Sequence, residues 1–196
     1  MRIFRNAFEA GRWAPGSVVT IGKFDGMHRG HQKLIRSAVK RAKAAKTRCL
    51  VITFDLSPQQ FLRLYPYQPI LSEAEKMEIL GKLGVDAVVL IPFNENLACM
   101  SPESFADLVL ATQLKAKDIY VGEDFCFGKD RAGSISTLEE LGPRMGFRVH
   151  CVPLTRVAGE KITAERIRAL IEEGHERKAE KLLGWRLKSR TQQSIS

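Results

Sequence analysis

The sequence predicts a doubly wound α/β domain built on a parallel β-sheet. Three observations carry that expectation. Short β-branched and apolar runs alternate with helical patterns along most of the 196 residues. The runs are nearly unbroken, as in Ala87-Val88-Val89-Leu90-Ile91, which suits strands covered on both faces. The first run, Ser17-Val18-Val19-Thr20-Ile21, passes through a glycine-bearing loop into a long helical pattern, the local form of a β-to-α crossover.

Taken in chain order, the β-branched run predicts a strand at 17–22, stopped by Gly22, and the periodicity after Gly30 predicts a helix over about 30–45. A second strand at 48–54 ends in Val51-Ile52-Thr53-Phe54. Residues 55–71, carrying Pro58, Pro66 and Pro69, form a long irregular connection of the kind that serves as a lid in compact domains. Helix 73–83, strand 86–91, helix 102–112, strand 117–122, helix 135–144 and strand 147–153 continue the alternation. Two closing helices are expected at 164–173 and near 175–183. In such a sheet ligands sit beyond the C-terminal strand ends, where the first strand delivers its loop.

That loop reads Gly22-Lys23-Phe24-Asp25-Gly26-Met27-His28-Arg29-Gly30-His31. Free backbone N–H groups and the dipole at the start of the following helix favour an anion there. His28 and His31 add hydrogen-bond donors, and Gly30 lets a nucleotide lie close to the backbone. The loop has neither G-x-G-x-x-G nor G-K-[ST], so it is not a dinucleotide or P-loop fingerprint. Glycine and aspartate also serve plain turn chemistry, and two histidines three apart also suit a metal, but no third His or Cys lies nearby. The residues read as a phosphate site whose chemistry rests on imidazoles.

Gly22 to His31 resembles the G-x-F-D-G-x-H-x-G-H signature of the FMN adenylyltransferase domain of bacterial FAD synthetases, which are nucleotidyltransferases of the HxGH class with a Rossmann-like fold. The resemblance extends through Val51–Asp55, Leu71–Lys76, Leu83–Asp86, Pro102–Phe105, Val121–Gly128 and Ile167 to Gly184, covering about residues 15 to 184. It implies AMP transfer from ATP to FMN, giving FAD and pyrophosphate, with Mg2+ arriving on ATP. His28 and His31 are the catalytic candidates; Gly22, Phe24, Asp25, Gly30, His31, Thr163 and Arg168 are expected to bind ATP. Phe54, Asp55, Pro58, Asp124, Phe125 and Phe127 are expected around the flavin, with 55–71 as a mobile flap over it. Asp25 reads as an acceptor ordering the loop rather than as a base. The resemblance also implies one nucleotidyltransferase domain over 1–184; family members usually continue into a riboflavin kinase domain, and as a departure from that pattern the chain is expected to carry no such domain but a polar, disordered tail at 185–196.

The chain departs from the family pattern at several of these positions. A V-S-S-T-R-I-R type segment is replaced by Ile162-Thr163-Ala164-Glu165-Arg166-Ile167-Arg168, so a hydroxyl is lost at Ala164. Glu165 is left out of the site because a carboxylate opposes a triphosphate; Thr163 also reads as the N-cap of its helix. Leu56-Ser57-Pro58 stands where Pro-His-Pro is common, and Asp124 where Asn is. Two other readings follow from these changes: a different phosphate-monoester acceptor, or a non-catalytic flavin- or nucleotide-binding relative.

Composition agrees with a cytoplasmic enzyme. Cysteines 49, 99, 126 and 151 lack metal-like spacing and read as reduced thiols in mostly apolar surroundings. No apolar run approaches membrane-spanning length and no secretory apolar core follows Met1. The net charge of +9 is concentrated at the start, with twelve Lys or Arg against Glu9 and Asp25 in residues 1–48. Without aromatic residues interleaved to stack on bases, that surplus reads as a solvated helix face beside an anion site rather than as a nucleic-acid surface.

Overall fold

Six strands make one parallel sheet in the computed structural model, which describes residues 1–56, 61 and 68–187. They are β1 (Arg2–Phe4), β2 (Val18–Ile21), β3 (Cys49–Phe54), β4 (Ala87–Ile91), β5 (Asp118–Gly122) and β6 (Arg148–Val152), in the spatial order β1-β4-β3-β2-β5-β6. The alternating apolar runs produce this sheet because successive side chains leave a strand on opposite faces. Val19, Ile21, Leu50, Ile52, Ala87, Val89, Ile119 and Val121 enter one apolar cluster, whereas Val18, Cys49, Val51 and Val88 enter another. Both faces are therefore covered, as the unbroken runs predict.

The first cluster is roofed by α1 (Ala7–Trp13), by a turn of helix α5 (Pro102–Ser104) that continues as a π-helix over Phe105–Gln113, and by α6 (Ile135–Met145). The opposite face is roofed by α2 (Arg29–Ala44) and α3 (Glu73–Lys82). A short helix α4 (Glu95–Ala98) follows β4. The closing helices α7 (Ala164–Glu172) and α8 (Glu176–Leu183) pack on each other around Ile167, Ala179, Leu182 and Leu183.

The short helix α4, β1, α1 and a hairpin exceed the sequence expectation. β1 and α1 precede the first predicted strand: β1 is a three-residue edge strand, and α1 is capped by Asn6, whose Oδ1 accepts from the Glu9 N–H at 2.8 Å. Gly11 on α1 lets the helix rest on the end of the π-helical stretch, where a Cβ would fall 1.9 Å from the Gln113 carbonyl oxygen. Between β6 and α7 lies a hairpin of β7 (Arg156–Val157) and β8 (Glu160–Lys161), turned by Ala158 and Gly159, both at positive φ.

The expected flap falls mostly on residues 57–60 and 62–67, which lie outside the described residues, as do residues 188–196 of the expected tail. The disordered tail expected from residue 185 does not begin there. Trp185 and Leu187 pack against the α7–α8 cluster, because an aromatic and a branched side chain find apolar surface there. All four cysteines are free, as expected, but the expected apolar surroundings hold for Cys49 alone; Cys99, Cys126 and Cys151 are exposed. Among the described residues no helix is long and apolar enough to cross a membrane.

Candidate functional site

β2 has β3 on one side and β5 on the other, so the chain reverses its winding direction between β2 and β5. The loops leaving these two strands must separate there, which opens a crevice at their C-terminal ends. A cleft of about 950 Å³ occupies this point and reaches to the β7–β8 hairpin and the start of α7.

The loop after β2 forms a tight turn through three residues of positive φ: Phe24 (50°), Gly26 (71°) and Met27 (43°). Left-handed backbone at non-glycine residues costs on the order of 1 kcal/mol each, so the surroundings must hold the turn. They do so on several sides. Asp25 is buried; its Oδ1 accepts from the Ile70 N–H at 3.0 Å and its Oδ2 from Arg168 Nη1 at 2.5 Å. Gln32 Nε2 donates to the carbonyls of Met27 (2.9 Å) and Leu183 (2.8 Å). Gly22 leaves room for the Phe24 ring, which a Cβ would meet at 3.0 Å.

His28 closes the turn as the N-cap of α2, with Nδ1 accepting from the His31 N–H at 3.3 Å. The cap fixes the tautomer: Nδ1 is the acceptor, so the neutral ring carries its proton on Nε2. The two imidazoles stack, centroids 3.6 Å apart and 17° from parallel, and Phe24 meets the His31 ring edge-on at 5.3 Å. Burial pushes His28 down from 6.5 to about 4, against the pull of the Asp124, Asp25 and Glu165 carboxylates. Burial also holds His31 well below its usual value, helped by His28, Lys76 and Lys23. Both rings are thus neutral at pH 7, and the buried His31 Nδ1 has no hydrogen-bond partner among the described residues. Gly30 serves more than access to the backbone: a Cβ there would fall 3.1 Å from both Cε1 and Nδ1 of His28.

The other expected site residues divide into groups. Gly22, Phe24, Asp25, His28, Gly30, His31, Phe54, Asp124, Phe125, Phe127 and Thr163 all line the cleft. Thr163 is also the N-cap of α7, accepting from the Arg166 N–H at 3.2 Å, so capping and lining coincide. Phe125 stacks on Phe127 with centroids 5.5 Å apart, and Phe127 doubles as core. Asp55 lines a smaller adjoining cavity of about 130 Å³ and accepts from the N–H groups of Leu56 (2.6 Å) and Phe93 (2.9 Å). Pro58 lies outside the described residues.

Arg168, expected to clamp phosphates, is not among the residues lining the cleft; its guanidinium is drawn onto Asp25 and, at 3.4 Å, onto Glu165. Glu165, left out of the site on charge grounds, does line the cleft, because an exposed first-turn position of α7 faces it. Sequence reasoning missed Lys161, Thr155 and Trp185. Lys161 on β8 lines the cleft and pairs with Asp124 at 2.8 Å. The Thr155 hydroxyl is buried against the cleft with no hydrogen-bond partner among the described residues. Trp185 donates from its indole N–H to the Gly26 carbonyl at 3.1 Å. Among the described residues no group of three His, Cys, Asp or Glu is placed to hold a metal ion.

Residues 12–166 match the family model described as FAD synthetase. The chain is 35% identical over 176 residues to the putative bifunctional riboflavin kinase/FMN adenylyltransferase of Geobacillus thermodenitrificans, covering 89% of this chain and 93% of that protein. It is 32% identical over 169 residues to the bifunctional riboflavin kinase/FMN adenylyltransferase of Pseudomonas fluorescens, covering 86% of this chain but 54% of that one, about half its length. A solved structure titled as a macrolide-efflux protein from Streptococcus pneumoniae superposes with a TM-score of 0.80 at 33% identity, over 94% of this chain and 61% of that one. A pantoate-beta-alanine ligase from Francisella tularensis, at 17% identity and a TM-score of 0.54 over 99% of this chain and 90% of that one, shares the fold alone. A histidine-bearing turn at the switch point of a parallel sheet and a family match over most of the chain agree: the protein belongs to the FAD synthetase family.

Proposed function

We propose that this chain transfers AMP from ATP to FMN, releasing pyrophosphate and forming FAD. The observation that carries the reading is the stacked His28–His31 pair, held at the switch-point cleft of a chain that matches the FAD synthetase family. An FMN phosphate oxygen attacks the α-phosphorus of ATP, and the bond from that phosphorus to the bridging oxygen of the leaving pyrophosphate breaks. The attacking phosphate is already ionised at neutral pH, so the protein supplies no nucleophile and no base. Its work is positioning and charge stabilisation.

The Nε2–H of His28 donates to the α-phosphate and bridging oxygens as charge collects on them. Buried neutral imidazoles suit this role, since incoming phosphates raise their proton affinity just where a proton is needed. Magnesium belongs to the substrate in this reading: it arrives bound to the ATP phosphates, and no three-ligand cluster among the described residues competes for it. Phe54 and Phe125, which line the cleft, provide apolar surface for the isoalloxazine. A cytoplasmic location goes with this reading, as do small-molecule substrates rather than nucleic acid.

FAD formation from FMN and magnesium-ATP, followed chromatographically with pyrophosphate as a second readout, tests it. Wild type is expected to form both products together, and His28→Ala to lose about a hundredfold in turnover, the scale of one removed transition-state donor. An unchanged rate in the variant would refute the role given to His28. Binding of ATP without FAD formation would point to another phosphate-monoester acceptor. The carboxylate of Asp124 in the cleft is the observation that favours this second reading.

A further inference from the structure

The turn that presents His28 is held from a side that the reaction never touches. α8 ends at Gly184, in the left-handed conformation at φ 77°, which turns the chain back across the start of α2. Gly184 lies so close to Arg29 that a Cβ would meet its Cγ at 3.0 Å. Leu183 offers its carbonyl to Gln32 Nε2, the same nitrogen that donates to Met27. Trp185 then sets its indole between the sheet-side cluster and the α7–α8 cluster, and donates to the Gly26 carbonyl. Leu187 N–H is tied back to Glu180 Oε1 at 2.9 Å, which fixes the segment after Trp185.

We propose that Trp185 is a positioning residue for the histidine pair, its indole N–H bracing the strained Asp25–Met27 turn so that His28 keeps its stacked, capping geometry. The proposal rests on the assignment of His28 to catalysis for its effect on turnover, but its geometry stands without that assignment. The turn carries positive φ at Phe24, Gly26 and Met27, and the Gly26 carbonyl is in a buried residue. A buried carbonyl that loses its donor is destabilised by more than a typical hydrogen bond contributes, so the turn relaxes toward less strained backbone. His28 is the next residue and moves with it. The brace adds to core packing: the indole ring fills space on two clusters, one of which holds Phe24 and Met27, and its N–H supplies a hydrogen bond to the turn itself, at the Gly26 carbonyl.

The discriminating variant is therefore Trp185→Phe, which keeps an aromatic ring and removes the donor. The four histidines, at 28, 31, 150 and 175, allow a readout independent of the reaction: ring resonances in protein labelled at histidine. The His28 and His31 resonances are expected to shift, while those of His150, which is bonded to Asp118, and of the exposed His175 stay in place. In the FAD assay kcat is expected to fall roughly five- to tenfold, the scale of one hydrogen bond, with KM for ATP changed less than about twofold. Unmoved His28 and His31 resonances would overturn the brace. Shifted resonances with an unchanged kcat would overturn its link to turnover. Failure of the functional reading looks different: His28→Ala retains full FAD formation while the Trp185→Phe shifts persist.

Discussion

Substituting Gly30 by alanine separates two effects that usually travel together. Gly30 sits in the first turn of α2 and is absent from the positive-φ residues, so alanine fits its backbone without strain. On stability alone the change is favourable, by up to about 1 kcal/mol for glycine against alanine in a helix. The added methyl, however, would lie 3.1 Å from both Cε1 and Nδ1 of His28 and 3.8 Å from Cβ of Thr155. Ordinary carbon contacts begin near 3.5 Å, so the ring must retreat by a few tenths of an ångström. Its room is limited, because His31 stacks on it with centroids 3.6 Å apart and the cap bond is already 3.3 Å long. Displacing one donor that acts in the transition state is expected to lower kcat by roughly ten- to a hundredfold, less than outright removal. Thermal unfolding and FAD formation measured on the same preparation decide the matter. Turnover equal to wild type in a folded, more stable variant would refute the claim that the ring position set by this contact matters.

Three further outcomes follow from the same geometry. Asp124→Asn removes a carboxylate from the cleft and releases Lys161 to meet phosphates; KM for ATP is expected to fall about two- to fivefold, a small effect because the pair is half-exposed, and an increase in KM would contradict it. Because His28 is held at about 4 against 6.5 when unfolded, the unfolded chain binds more protons between these values. Stability should therefore be complete above pH 6.5 and fall as pH drops toward 4, by an amount of about 3 kcal/mol that His28→Asn abolishes; equal acid slopes in urea titrations of the two proteins would refute this. Asp118→Ala strips a buried carboxylate from Arg41 (3.2 Å), Arg148 (3.1 Å) and His150 (2.7 Å), and is expected to cost about 2–4 kcal/mol in denaturant unfolding while leaving the activity of the folded fraction intact.

The parallel sheet was legible because both-face burial writes itself as unbroken apolar runs, and five of the six strands were found within a residue or two. β1 was missed because three residues on a sheet edge carry no period, although Asn6 three residues before Glu9 was a readable cap for α1. The β7–β8 hairpin was missed because Ala158-Gly159 is a weak version of the usual Asn-Gly turn. Within the site, the motif placed His28, Gly30 and His31 correctly at a helix start. What it did not reveal was pairing at long range: Arg168 to Asp25, Lys161 to Asp124 and Trp185 to Gly26 join residues 143, 37 and 159 apart in sequence. No local pattern encodes such contacts; α7 and the segment after α8 bring the first and third to the turn, and the β7–β8 hairpin brings Lys161 to Asp124.

Those pairings bear on how the cleft meets a polyanion. Three cations around it rest on carboxylates: Lys161 on Asp124, Arg166 on Glu160 and Arg168 on Asp25. The charge of these three cations is therefore already met by carboxylates. His28 is neutral because burial outweighs the acids near it, and His31 because burial is reinforced by His28, Lys76 and Lys23. A fixed cluster of unpaired cations would bind substrate and product phosphates alike, which lowers KM without lowering the barrier. Neutral imidazoles behave differently. Their proton affinity rises as negative charge accumulates beside them, so their stabilisation grows along the reaction and is greatest when the pyrophosphate bond breaks. Arg168, paired with Asp25, ties the start of the turn to α7. The rigid part of this site is thus the support of the histidines, and its responsive part is their protonation.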